Sequence, residues 1–368
     1  MIHGHHLRAQ GEAWCSTHQF LQPGILCVLG FTATGLIPGI SAAGATPSDR
    51  QFTALADGEF LCHGPRAHPL YPLPPLTVGA SPALISRAVI AGLELPLYVF
   101  DAGLPRHSLQ GLIDLGGQPA QCLTSGQALP LDGVWHLWQQ GLKWGETLSD
   151  QHPWLVIGEC VVGGTTTALA LCEGLGISGR DRIGSSHRQC NHQQKWHIVQ
   201  KGLEQVRAKN PGYLHPLECV AAIGDPMQVV IAGMVVAASQ RSGVLLAGGS
   251  QLLVVYQLAK AIAQVETIPW QSDAVVLGTT RWLVADTTAA ILSLAQEIDL
   301  PLITTQLNLS SSKFAALRAY EKGYVKEGVG AGGCAIAASL YGQWTNPTLV
   351  DHIDQIASQQ RAQTKVNG

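Results

Sequence analysis

Short, almost wholly apolar runs recur along this chain at residues 25–31, 96–101, 154–159, 243–247, 274–278 and 301–305, each bounded by Gly, Pro or Asp. Runs this short, without polar alternation, suit strands buried on both faces, as in a parallel sheet. Parallel neighbours need crossover connections, and the intervening segments read as helices. Ser81 and Pro82 open one as N-cap and first helical residue, and it runs to Gly92. Trp196, Val199, Leu203 and Val206 give residues 195–208 a helical spacing. Residues 226–240 are apolar nearly all round, the mark of a helix buried on several sides. Asp286 is placed to cap a helix over 287–298. The pattern predicts an α/β fold: a mostly parallel, Rossmann-like sheet with helices on both faces. Segments 65–79 and 103–132, rich in Pro, Gly and Gln, are expected to form loops over the sheet rim or a smaller subdomain. The division expected is a flexible polar extension over 1–23, an α/β domain over 24–345, and a C-terminal helix and tail over 346–368.

Composition excludes several classes. Charged residues make up 13% of the 368 and hydrophobic ones 46%, which is incompatible with disorder. Lys and Arg number 22 against 25 Asp and Glu, so no basic stripe is available for a nucleic acid backbone. The nine cysteines form no C-x-x-C pair, which argues against a disulfide scaffold or zinc knuckle and fits a reducing cytoplasm. Residues 24–48 carry no charge, but their Gly and Pro content reads as a strand and loop rather than a membrane span. Only Arg8, opposed by Glu12, offers a firm positive charge ahead of that run, which does not suit a signal peptide. His3, His5 and His6 read as a flexible terminus, and His187, Cys190 and His192 as a polar loop rather than a metal site.

Three constellations could carry chemistry. Glu159 ends a strand and is followed by Gly163, Gly164, Thr165 and Thr166, which open a helix. A helix N-terminus presents amides and a positive dipole end to a phosphate, and the glycines let it approach. Glu327 precedes Gly328, Gly330 and Gly333, where desolvation would raise a carboxyl pKa and make a better base. Those glycines also match G-x-G-x-x-G, which keeps an NAD(P)-dependent oxidoreductase open, although no buried strand precedes them. Lys195 opens a helix, against the dipole, as an ammonium reserved for an anion would. Asp101 ends another strand and is a supporting candidate for ordering the rim.

In their order along residues 81–341, these segments resemble the nicotinate-nucleotide–dimethylbenzimidazole phosphoribosyltransferases, as a divergent branch. Glu159 through Thr166 resembles the family's glutamate, glycines and two threonines, 195–203 its Lys-opened helix, and 216–224 its following segment. Glu327 resembles its catalytic glutamate before a glycine-rich turn. Val161 stands where the family's loop has its first glycine, Gly164 where it has Asn, and Ala247 where an Asp follows a strand. The family's acceptor-binding segment near the N-terminus has no recognisable counterpart.

The resemblance implies phosphoribosyl transfer from nicotinate mononucleotide to a nitrogen heterocycle, dimethylbenzimidazole-like or purine, for cobamide assembly. It implies Glu327 as base and Glu159 at the ribose. The amides of Gly163, Gly164, Thr165 and Thr166, with Lys195, would hold the phosphate, and Gly328 and Gly330 would let the nucleotide approach. The nicotinate leaves a pyridinium as a neutral ring, so neither metal nor other cofactor is expected. Small-molecule substrates, a cytoplasmic homodimer, and no nucleic acid or membrane partner complete the expectation. A noncatalytic nucleotide-binding protein of the same fold is the other alternative.

Overall fold

The strands are β1 (Ile2–His6), β2 (Gly24–Leu29), β3 (Leu97–Asp101), β4 (Leu112–Asp114), β5 (Trp154–Cys160), β6 (Gly243–Ala247), β7 (Val275–Thr280) and β8 (Leu302–Thr305). The structure is a computed structural model and describes residues 2–365 apart from positions 45, 77, 211 and 213. Ala45 and Thr77, within two segments singled out above, therefore lie outside the described residues, as does the tail from 366. All eight strands form one sheet in the order β1-β8-β7-β6-β5-β2-β3-β4. Every neighbour is parallel except β1, which runs antiparallel on the edge of β8.

The helices are α1 (Arg8–His18), α2 (Thr53–His63), α3 (Ala83–Gly92), α4 (Leu131–Ser149), α5 (Gly164–Gly174), α6 (His192–Lys209), α7 (Pro216–Ile223), α8 (Pro226–Ala238), α9 (Ser250–Val265), α10 (Arg281–Val284), α11 (Ile291–Ile298), α12 (Ala315–Arg318), α13 (Ala331–Leu340) and α14 (Asn346–Lys365). They divide between the two faces of the sheet. Leu26 and Val28 of β2 point into one core, with α4 to α9 and α11. Ile25, Cys27 and Leu29 point into the other, with α1 to α3, α13 and α14. Period-two alternation along an all-apolar strand thus feeds two cores at once. Segment 103–132 returns to the sheet as β4, and Pro74, Leu76 and Val78 of segment 65–79 lie at the rim. Among the described residues, no helix is long and apolar enough to cross a membrane.

The N-terminal segment departs from expectation. Within the stretch expected to be a flexible extension, β1 pairs with β8 from Ile2 opposite Thr305 to His6 opposite Leu302. Helix α1 buries Trp14, whose indole N–H donates to the Ala274 carbonyl at 2.9 Å. A polar composition concealed the spacing of the three residues α1 buries, Gly11, Trp14 and His18. The second departure is at Asp286. Helix α11 begins at Ile291, while the Asp286 carboxylate caps a turn at Thr288 and pairs with the Lys326 ammonium.

Strand order grows in one direction from β2 through β3 to β4 and in the other from β5 through β8. The reversal between β2 and β5 opens a crevice at their carboxyl ends, where ligands bind in sheets of this kind.

Candidate active site

At that crevice lies a cavity of about 540 Å³, walled by segments remote in the chain. Strand β5 delivers Glu159 to it, and the turn into α5 supplies Val161–Thr165. The loop before α13 supplies Glu327 and Gly328, and Ser185–Arg188 close another side. The structure thus brings Glu159, Gly163, Gly164, Thr165, Glu327 and Gly328 together on one cavity.

Bare backbone makes the assembly possible. A Cβ added at Gly35 would lie 2.5 Å from the Val162 carbonyl oxygen, and one at Gly163 would lie 2.8 Å from the Gly35 Cα. Gly163 has φ of +88°, a left-handed conformation that costs glycine little. Opposite, a Cβ at Gly158 would lie 2.9 Å from the Gly330 Cα. That contact seats the glycine-rich turn on the end of β5.

Glu327 is held by four donors. Its Oε2 accepts from the Thr279 hydroxyl at 3.1 Å and the Thr280 amide at 2.9 Å. Its Oε1 accepts from the Gly328 amide at 3.2 Å and the Gly332 amide at 3.0 Å. Burial raises its pKa, and the four donors oppose the rise. Val325, Lys326 and Val329 around it all have positive φ, at 69°, 70° and 53°. The side chain of Lys326 is buried and paired with Asp286, which fixes this strained turn. Glu159 is buried too. Its Oε1 accepts from the Gln251 side-chain amide at 2.8 Å and its Oε2 from the Val161 amide at 3.2 Å. Burial first, then the nearby Asp225 and Glu327 charges, push its pKa up to about 8 against those two donors.

Other expectations need correction. Lys195 does not reach the cavity. It is fully buried, and its ammonium donates to the carbonyls of Ile183 at 2.9 Å and Gly184 at 2.6 Å. It shapes the wall ahead of Ser185 and is not free to hold an anion. Thr166 is buried behind the turn, and its amide donates to the Gly163 carbonyl at 2.8 Å. The Gly164 amide donates to the Val161 carbonyl at 3.0 Å, so two of the four expected amides are already used. Gly330 supports the turn from beneath through Gly158. Asp101, expected to order the rim, needs no such correction: its carboxylate accepts from the amides of Gly103 and Leu104 and meets the His107 ring, ordering that loop outside the cavity lining. The glycines at 328, 330 and 333 follow a 3-10 turn over Ala319–Lys322, not a strand, so the dinucleotide fingerprint lacks its structural setting.

Three residues that the sequence did not single out matter here. Arg50, buried, donates to the carbonyls of Gly35, Ile37, Ser41 and Ala43 and so moulds the glycine-proline loop beside the cavity. Arg188 lines the cavity, with its guanidinium 5.3 Å from the centre of the Tyr324 ring. Gln251 positions Glu159. None sits in a recognisable motif, because each acts through tertiary contacts. The clamp on Glu327 has a measurable consequence. In Glu327→Gln, the new amide group would face N–H donors where an oxygen now accepts. We expect a stability loss of about 1–3 kcal/mol in urea denaturation; an unchanged midpoint would show that these amides do not hold the carboxylate.

A family model described as phosphoribosyltransferase matches residues 81–268, just over half of the chain. A UPF0284 protein from Thermosynechococcus vestitus is 62% identical over 94% of this chain and 92% of its own length. Another, from a Cyanothece species, is 58% identical over 97% of this chain and 96% of its own. In structure the chain is similar to the nicotinate-nucleotide-dimethylbenzimidazole phosphoribosyltransferase from Thermus thermophilus. That match has a TM-score of 0.58 and 16% identity, covering 92% of this chain and 83% of that one, a likeness of fold. The fold agrees with the matched sequence segment, and the chain therefore belongs to the nicotinate-nucleotide–dimethylbenzimidazole phosphoribosyltransferase family, in its UPF0284 branch, as a pentosyltransferase.

Proposed function

We propose that the enzyme transfers the phosphoribosyl group of nicotinate mononucleotide to a nitrogen heterocycle, giving an α-ribotide and nicotinate for cobamide assembly. The observation that carries this reading is the single cavity shared by Glu159, Glu327 and the turn Val161–Thr165. A nucleotide spans such a site with its phosphate at the helix N-terminus and its glycosidic bond near the carboxylates. Toward the phosphate, the turn at Gly163 and Thr165 offers backbone amides at the positive end of α5. Arg188 supplies the flexible cation that the buried Lys195 does not.

In the reaction, the bond from ribose C1′ to the pyridinium nitrogen breaks and its electron pair stays with nicotinate. A ring nitrogen of the acceptor bonds to C1′ from the opposite side, inverting the sugar from β to α. The Thr279 hydroxyl, the one rotatable donor on Glu327, turns away and the acceptor's N–H proton passes to the freed Oε2, removing the positive charge that would otherwise build on the new ring. Glu159, ionised, faces the cationic sugar and stabilises it in a site of low dielectric. Holding both rings in line supplies further acceleration.

Incubation with nicotinate mononucleotide and a panel of azole and purine bases tests the reading through release of nicotinate and formation of an α-ribotide. Glu159 imposes a sign on the pH dependence. With a pKa of about 8 in the empty site, it is protonated below that pH and gains the useful charge above it. We expect kcat/KM to climb with pH through about 8 and Glu159→Gln to lose that limb; a flat profile from about pH 6 to 9 would count against the electrostatic role. Absence of nicotinate release with every base refutes the reaction itself. We place the enzyme in the cytoplasm as a homodimer acting on small molecules, without a nucleic acid or membrane partner. Light scattering should then give twice the 39.0 kDa chain mass, and a monomeric mass would contradict the dimer.

A further inference from the structure

Asp57 is a cavity carboxylate to which the reaction above gives no task. It lies on α2 and is only 5% exposed, yet it forms part of the cavity wall. Its Oδ1 accepts from the Ser81 hydroxyl at 3.0 Å and its Oδ2 from the Cys160 thiol at 3.3 Å. These contacts place it at the Glu327 end. Ser81 precedes Pro82, whose Cγ would lie 2.9 Å from a Cβ at Gly328, the residue after Glu327. The buried Tyr320 hydroxyl feels the charges of both Glu327 and Asp57. Around this end the wall is apolar, with Pro74, Leu76, Val78 and Val325. An apolar lining suits an aromatic ring, and Asp57 is a polar group set among these side chains.

Each carboxylate oxygen can accept two hydrogen bonds, and each has one donor here, one of them a weak thiol. Among the described residues no cation faces Asp57. An acceptor group in an apolar slot is costly unless the occupant brings a donor. We propose that Asp57 selects the acceptor base by taking a hydrogen bond from an exocyclic amino group on its edge. The preferred substrate is then an aminopurine-type ring rather than a benzimidazole bearing methyl groups. Burial pushes the Asp57 pKa only to about 6, so near neutral pH the group is mostly ionised and remains an acceptor. The assignment rests on the phosphoribosyl-transfer reading.

Three flat acceptors separate the possibilities with nicotinate mononucleotide as donor: adenine, purine (the same ring without the amino group) and 5,6-dimethylbenzimidazole. Wild-type enzyme should favour adenine over both others in kcat/KM by at least about 10-fold. In Asp57→Leu the adenine-to-purine ratio should collapse toward unity. Should that variant fail to fold, the wild-type ratios alone decide the matter. Equal use of adenine and purine, or a preference for dimethylbenzimidazole, overturns the role of Asp57 while leaving phosphoribosyl transfer intact. No nicotinate release with any of the three overturns the transfer reading and the selection with it.

Discussion

Two stretches of bare backbone touching at Gly158 and Gly330 make the rest of the site possible. With a Cβ on Gly158 lying 2.9 Å from the Gly330 Cα, a side chain there would lift the turn before α13 off the end of β5. Glu159 and Glu327 are the immediate or near neighbours of those glycines, so their encounter in one cavity follows from the contact. The crevice between β2 and β5 supplies the space, and the glycine contact sets what faces into it. The same device recurs across the cavity, where Gly35 and Gly163 bring the first loop against the turn into α5.

Electrostatics adds a second constraint. Asp57, Glu159 and Glu327 line a cavity whose only arginine is Arg188, and no lysine joins it among the described residues. Burial raises the pKa of all three carboxyls. That suits a donor whose reacting ring is cationic and whose leaving ring is neutral, because carboxylates stabilise the cationic end. It suits an anion only where the α5 N-terminus and Arg188 supply positive charge. A charge distribution of this kind orients a nucleotide as well as binding it. On the proposed reading, the phosphate would be drawn toward Thr165 and the pyridinium toward Glu327.

Much of this was legible in the sequence because burial writes itself into composition. The apolar runs at β2, β3, β5, β6, β7 and β8 are strands buried on both faces, and their order and connections required a parallel sheet. Glu159 and Glu327 stood out because each adjoins a cluster of glycines. What escaped notice was decided by partners distant in the chain. Edge strand β1 and helix α1 are mostly polar and bury few residues. Helix α4 mixes Trp, Gly and Lys, although Val134, Leu137, Trp138, Gly141, Gly145 and Leu148 trace its buried face. Lys195 looked like an anion ligand because burial and the carbonyls of Ile183 and Gly184 cannot be read from one helix. Arg50 and Asp57 likewise gain meaning only from loops that fold back on them.

A crystal structure with nicotinate mononucleotide bound tests the central geometry most directly. We expect the 5′-phosphate at the amides of Gly163 and Thr165 within reach of Arg188, with the C1′ end directed toward Glu159 and Glu327. A nucleotide bound in the reverse sense, or outside the crevice between β2 and β5, would contradict it.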